Sequence, residues 1–265
     1  MIPRVPPLTL ASVATSLLRQ NQRSLGADAA ALVRTRQPIP VILDTHYLPR
    51  CGRAILVGNH YERPGLWGGW GAMVVSAAVW QAADGHCDVT WLMTAELLDV
   101  HLASVRVPSR WVRAVLARVA DIYGLGLVEP REAGRVGGLS GLRRAARALQ
   151  HGGPVGVLPE GTASRALIRA RPGVGRALEW LASEADTLTP FGVWEQHGQL
   201  CVRFGPDFHL DVDTDAAATP VRQSSPRGQG PDRDRVLSDA VMVRIAELLP
   251  PEMWGAYAAI MERRS

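Results

Sequence analysis

The chain contains no lysine, and all 29 of its basic residues are arginine. Its formal net charge is only +4. So small an excess, with no basic-aromatic recognition module, excludes nucleic acid as the expected partner. The arginine bias is read as compositional, although arginine suits phosphate, carboxylate and anionic membrane surfaces. Cysteine is scarce. Cys51, Cys87 and Cys201 are odd in number and widely spaced, which gives neither a disulfide framework nor a CxxC knuckle. Free thiols in a reducing compartment are expected. His86-Cys87-Asp88 has ligand-like composition but no partner pair at metal spacing, so it reads as a surface loop and no metal site is expected. No apolar run reaches the ~18 residues that would span a bilayer.

What is present is an apolar fraction of 47% in 265 residues, ample for the core of one α/β domain. The N-terminal stretch MIPRVPPLTLASVATSLLRQ lacks a small-x-small cleavage site and continues in helical period, so it reads as a helix rather than a leader. Leu10, Val13, Ala14, Leu17, Leu18 and Leu25 form one stripe, with Arg19 and Arg23 near its end. Residues 1–37 are therefore taken as a helical segment, packed on its own domain or lying in a membrane interface.

From residue 38 to 265 the pattern is that of one α/β domain. Strands are predicted at 41–43, 54–57, 89–93, 125–128, 155–158, 188–193 and 200–204. Helices are predicted at 66–83, 109–121 with Ser109 as N-cap, from Ser140 to Gln150, 174–184 and 235–249. Strands alternating with helices point to a mostly parallel sheet flanked by helices. The cluster Gly137-Gly138-Leu139-Ser140-Gly141 has the wrong spacing for a nucleotide fingerprint and reads as loop. Residues 213–235, polar and rich in Pro, Gly and Ser, read as a mobile loop.

Binding sites in open α/β sheets form at the carboxyl ends of strands. Three strand ends here carry chemistry: Asn59-His60, Glu129-Pro130-Arg131 and Pro159-Glu160-Gly161-Thr162. Together they offer a base, a cation and a hydrogen-bonding turn.

These residues resemble a known family. VGVLPEGTAS, Val155 to Ser164, is similar to the Pro-Glu-Gly-Thr block of the glycerolipid acyltransferases that include lysophosphatidic acid acyltransferase. Asn59-His60 stands where that family has Asn-His, and LGLVEPRE, Leu125 to Glu132, matches its strand ending in Arg. TLTPFGV and VRFGPDFHL resemble its later strands, so the likeness covers roughly residues 40 to 212. Two positions depart from it. The family's Asp, five residues after its His, falls on Gly65, and the Arg that follows its Thr is replaced by Ala163-Ser164, with Arg165 beyond.

The resemblance implies a glycerol-3-phosphate acyltransferase-like fold. It also implies transfer of a fatty acyl group from acyl-CoA or acyl carrier protein to a (lyso)glycerophospholipid-type hydroxyl. No cofactor, metal or covalent acyl-enzyme is implied, and the place is the inner face of the membrane, reached peripherally from the cytoplasm. His60 becomes the general base, since a neutral imidazole titrates near working pH. Glu62, the nearest acid, takes the role of the missing Asp or is a solvated turn residue, and Glu160 is the alternative carboxylate for orienting the ring. Arg131 is assigned to the acceptor's phosphate. Asn59, Glu160, Gly161 and Thr162 are assigned to the substrate pocket, and Arg165 to the absent family Arg, with Arg169 and Arg171 as alternatives. Trp67 and Trp70 line an acyl groove or the core. The competing expectation is a degenerate member that binds lipid or acyl groups without efficient turnover.

Overall fold

The computed structural model describes residues 7–19, 21–94, 101–102, 105–106, 109–128, 138–210 and 231–264. Five β-branched or apolar residues in a row, Ala54–Gly58 (β2), bury every side chain, as a strand covered on both faces must. Around it lie Val41–Leu43 (β1), Thr90–Thr94 (β3), Gly126–Val128 (β6), Val155–Val157 (β7), Thr187–Gln196 (β8) and Gln199–Phe204 (β9). They form a seven-stranded sheet in the order β1-β9-β8-β2-β7-β3-β6. Every pairing is parallel except the β8–β9 hairpin. His101–Leu102 (β4) and Val105–Arg106 (β5) make a separate antiparallel pair.

Helices flank this sheet: Pro7–Arg19 (α1), Leu25–Val33 (α2), Trp70–Ala82 (α3), Ser109–Tyr123 (α4), Gly138–Gln150 (α5), Val174–Ala182 (α6), Pro231–Ala246 (α7) and Ala258–Met261 (α8). α7 packs on β8 and β2, α5 on β3, β6 and β7, and α2 on α3. Ile55, Leu56 and Val57 of β2, with Val155, Phe191, Phe204 and Val241, are fully buried at the centre of the core. The α/β architecture with a mostly parallel sheet is as the strand-helix alternation requires. Among the described residues, no helix is long and apolar enough to cross a membrane.

Several local expectations are corrected. Cys51 and Cys87 are joined by a disulfide, with Cα atoms 5.9 Å apart, and Cys201 is free and buried. Their 36-residue separation hid a spatial closeness: Cys51 lies just before β2 and Cys87 just before β3, and both strands neighbour β7. Nor is His86-Cys87-Asp88 a bland loop. Oδ1 of Asp88 accepts the Gly26 amide at 2.6 Å and the Ser24 hydroxyl at 3.0 Å, at the start of α2. Leu25 does not extend the first helical stripe, because Ser24 caps a new helix by accepting from the Ala27 amide.

The glycine cluster near 140 is not loop from residue 138 onward, and Ser140 lies inside α5 rather than at its start. A methyl on Gly141 would come 2.2 Å from the Leu127 carbonyl oxygen, so glycine permits the close approach of α5 to β6. α7 starts at Pro231, so residues 231–235 of the expected loop are helical; proline suits a first helical position. The rest of that loop, 213–230, lies outside the described residues. Ser109 is likewise within α4. α3 begins at Trp70, four residues later than its apolar pattern suggests, because a turn and Gly68-Gly69 precede it.

Candidate active site

β2 and β7 are neighbours in parallel register, with Val57 opposite Val157. Three residues beyond each, His60 and Glu160 therefore leave the sheet at the same level. The His60 amide donates to Oε1 of Glu160 at 2.8 Å, and the Ile168 amide donates to Oε2 at 2.9 Å. Glu160 is only 2% exposed. Burial pushes its carboxyl up to about 7, against the opposing pull of the two amides.

Both remaining backbone groups in this stretch also find partners across the gap. Ser164 donates its amide to the His60 carbonyl at 2.8 Å, and the Glu62 amide donates to the Ser164 carbonyl at 3.0 Å. On the other side, the buried Asn59 side chain behaves as an extra strand residue. Its Nδ2 donates to the Val193 carbonyl at 2.8 Å, and its Oδ1 accepts the Val193 amide at 2.6 Å. The loop carrying His60 is thus stapled to β8 by Asn59 and to the Glu160–Ser164 corner by three further bonds. Asn59 and Glu160, expected to line a pocket, spend their side chains on backbone groups.

The imidazole is left over. Among the described residues its ring nitrogens have no hydrogen-bond partner, and burial alone lowers its pKa, which keeps the ring neutral near pH 7. Nε2 faces Gly68, together with the Ala163 methyl and Oε2 of Glu62. Glu62 is exposed and makes no hydrogen bond to the ring, although it shares this face. The place of the family's acid is taken by a tight turn. Leu66 donates its amide to the Arg63 carbonyl at 2.9 Å, with Pro64 and Gly65 at the centre and Gly65 at φ +84°. That is a type II turn, whose third position favours glycine over any residue with a side chain.

Gly161 also has positive φ, at +60°, and the Arg171 side chain lies across it. Arg171 donates from Nη2 to the Thr162 hydroxyl at 2.9 Å and from its amide to the Pro159 carbonyl at 3.0 Å. Of the three arginines considered, Arg171 closes the corner. Arg165 is exposed, and its charge is felt by Tyr61, whose hydroxyl burial pushes up. Arg131, with Glu129 and Glu132, lies outside the described residues. Trp70 is buried, and Trp67 is exposed with its ring folded over Gly69.

Sequence reasoning missed Glu195, which follows the predicted end of β8. Both its oxygens are gripped by Arg63, through Nη2 at 2.7 Å and through Nε. Arg36 approaches at 3.6 Å while its guanidinium lies over the Trp70 ring, 5.0 Å from the centroid. The Arg63 contact holds the Glu195 carboxyl below its ordinary range. This cluster ties the segment after α2 to the loop that carries His60. A signal existed: an acid ending an otherwise apolar strand needs a cation nearby.

No known family model matches this chain, and no curated protein matches it in sequence. Among solved structures it is similar to the 1-acyl-sn-glycerophosphate acyltransferase PlsC from Thermotoga maritima. Identity is 14%, over 91% of this chain and 94% of that one, with a TM-score of 0.41.

Proposed function

We propose that this protein is an acyltransferase that moves a fatty acyl group from acyl-CoA or acyl carrier protein to a (lyso)glycerophospholipid-type hydroxyl, with His60 as general base. One observation carries the reading. An imidazole kept neutral by burial, with no hydrogen-bond partner among the described residues, is held by its own peptide group against the Pro-Glu-Gly-Thr corner, a hundred residues away in sequence. In the step assigned to it, the acceptor oxygen attacks the thioester carbonyl as the imidazole takes the hydroxyl proton. The C–O bond forms, the C–S bond breaks, and the departing thiolate leaves as thiol after receiving that proton. The Gly161–Thr162 corner and Arg171 border the acceptor, with Arg131 and Arg165 assigned to its anionic headgroup.

A lipid acceptor places the enzyme at a membrane surface. α4 packs on α1 and exposes Trp111 and Val115, one turn apart, with the exposed Arg110 and Arg113 on the same stretch. Leu18 of α1 is 83% exposed. Exposed tryptophan and aliphatic side chains beside arginine suit the interface of an anionic bilayer, and the inner membrane face is the proposed location.

The competing reading is a binder without turnover, in which the His60 ring, hydrogen-bonded to no carboxylate among the described residues, no longer acts as a base. Thiol release from acyl-CoA, measured with a panel of lysophospholipids, separates the two. Turnover that disappears in His60→Ala supports the enzyme. Wild-type protein that binds acyl-CoA or lysolipid without releasing thiol overturns it.

A further inference from the structure

Gly68 is buried, and its backbone does not adopt the left-handed conformation that calls for glycine. Space, not φ, explains the missing side chain. A methyl there would lie 3.1 Å from Nε2 of His60, 3.1 Å from the Ala163 methyl and 3.5 Å from Oε2 of Glu62. The next residue, Gly69, is explained differently, since its own methyl would run into the Trp67 ring at 2.3 Å. Three chain segments thus converge in front of residue 68: the loop after β2, the Pro-Glu-Gly-Thr-Ala corner and the approach to α3.

A base removes a proton only from a hydroxyl that comes within about 2.6–3.2 Å of its nitrogen. A methyl on residue 68 would stand at that distance from Nε2. It would hold a hydroxyl away from this side of the ring even if the ring yielded by a few tenths of an ångström. The Ala163 methyl bounds the same space from across the site.

We propose that Gly68, with Ala163, is a positioning residue that keeps the Nε2 side of His60 open to the reacting hydroxyl. Their small side chains set the size of the group that can sit there. The inference rests on His60 being the base, as proposed above. It implies an acceptor hydroxyl that arrives from the Gly68 side, and a site in which bulk at 68 and bulk at 163 trade against each other.

Diethyl pyrocarbonate labelling of His60, read by tandem mass spectrometry on the folded full-length protein, tests this with or without turnover. Gly68→Ala slows labelling several-fold, Ala163→Gly speeds it, and the double variant Gly68→Ala/Ala163→Gly returns toward the wild-type rate. In thiol-release assays Gly68→Ala lowers kcat by about 10²-fold with KM for the thioester little changed, and the double variant recovers much of the loss. Labelling of Gly68→Ala at the wild-type rate, or a double variant as slow as the single one, overturns the proposal. Should Gly68→Ala fail to fold, Ala163→Gly alone decides: unchanged labelling counts against it. Wild-type protein that releases no thiol sinks the enzymatic reading, while the labelling series still reports on Gly68.

Discussion

The amide of His60 donates to Oε1 of Glu160 at 2.8 Å, joining two loops that leave adjacent parallel strands. The second carboxylate oxygen of Glu160 takes the Ile168 amide, so one buried side chain fixes both the backbone of His60 and the far end of the corner. Glu160 acts here through backbone placement, and the His60 ring is left without a hydrogen-bond partner among the described residues.

Replacing Glu160 by Ala strips acceptors from two amides. The expected loss is about 2–4 kcal/mol, in line with the cost of leaving such donors unpaired. The Gln variant separates charge from shape. Burial raises the Glu160 carboxyl from its ordinary 4.5 to about 7, so across that window the native state binds more proton than the unfolded chain. Wild-type stability therefore declines as pH rises from 4.5 through 7, and this contribution vanishes in Glu160→Gln. Urea midpoints of the two proteins across pH 4–8 check it.

For His60 the sign is reversed. Burial lowers its pKa from the ordinary 6.5, so the ring remains neutral at pH 7 and protonates only in more acidic solution. Acyl transfer should hold constant from neutral pH down to below 6.5 and then fall, as protonation removes the base. His60→Ala should cost ~10²- to 10⁴-fold in kcat. The pH profile of kcat/KM for thiol release is the measurement.

Asn59 makes a two-bond bridge to Val193, buried and 134 residues distant. Asn59→Ala leaves a backbone donor and acceptor of β8 without partners and is expected to cost about 2–4 kcal/mol. Faster hydrogen exchange at the Val193 amide would locate the loss. Asn59→Asp should be no better, because it removes the donor and brings a charge into a buried site.

The Cys51–Cys87 bond closes a loop of 36 residues. Constraining the unfolded chain to that extent is worth about 4 kcal/mol, and Cys87→Ser should lower the unfolding free energy by a comparable amount. Thiol titration of the unreduced, denatured protein should count one free cysteine, Cys201. Three would refute the linkage.

The fold was legible because parallel strands buried on both faces read as short apolar runs, and β2, β7 and β8 are such runs. The strand ends were legible for the same reason, and the structure brings His60 and the corner from Glu160 to Thr162 together at the ends of β2 and β7. Their division of labour was not. Asn59 and Glu160 are polar residues next to chemistry, and only coordinates reveal that their partners are amides and carbonyls of distant segments. Arg171 could not be told from Arg165 or Arg169, since the choice depends on how the chain folds back over Gly161. The role proposed for Gly68 was invisible, because a glycine advertises nothing about the neighbours a side chain there would meet.

The register between β2 and β7 has a consequence for how this site tolerates change. Val57 stands beside Val157 by strand pairing, so insertions or deletions in the surface loops between the intervening elements leave the imidazole and its anchor aligned. A slip of one residue between the two strands would instead carry His60 about 3.3 Å along the sheet and turn its neighbours to the opposite face. Variation in length is thus cheapest in the loops that join the intervening helices and strands, and a single inserted residue within β2 or β7 would dismantle the centre.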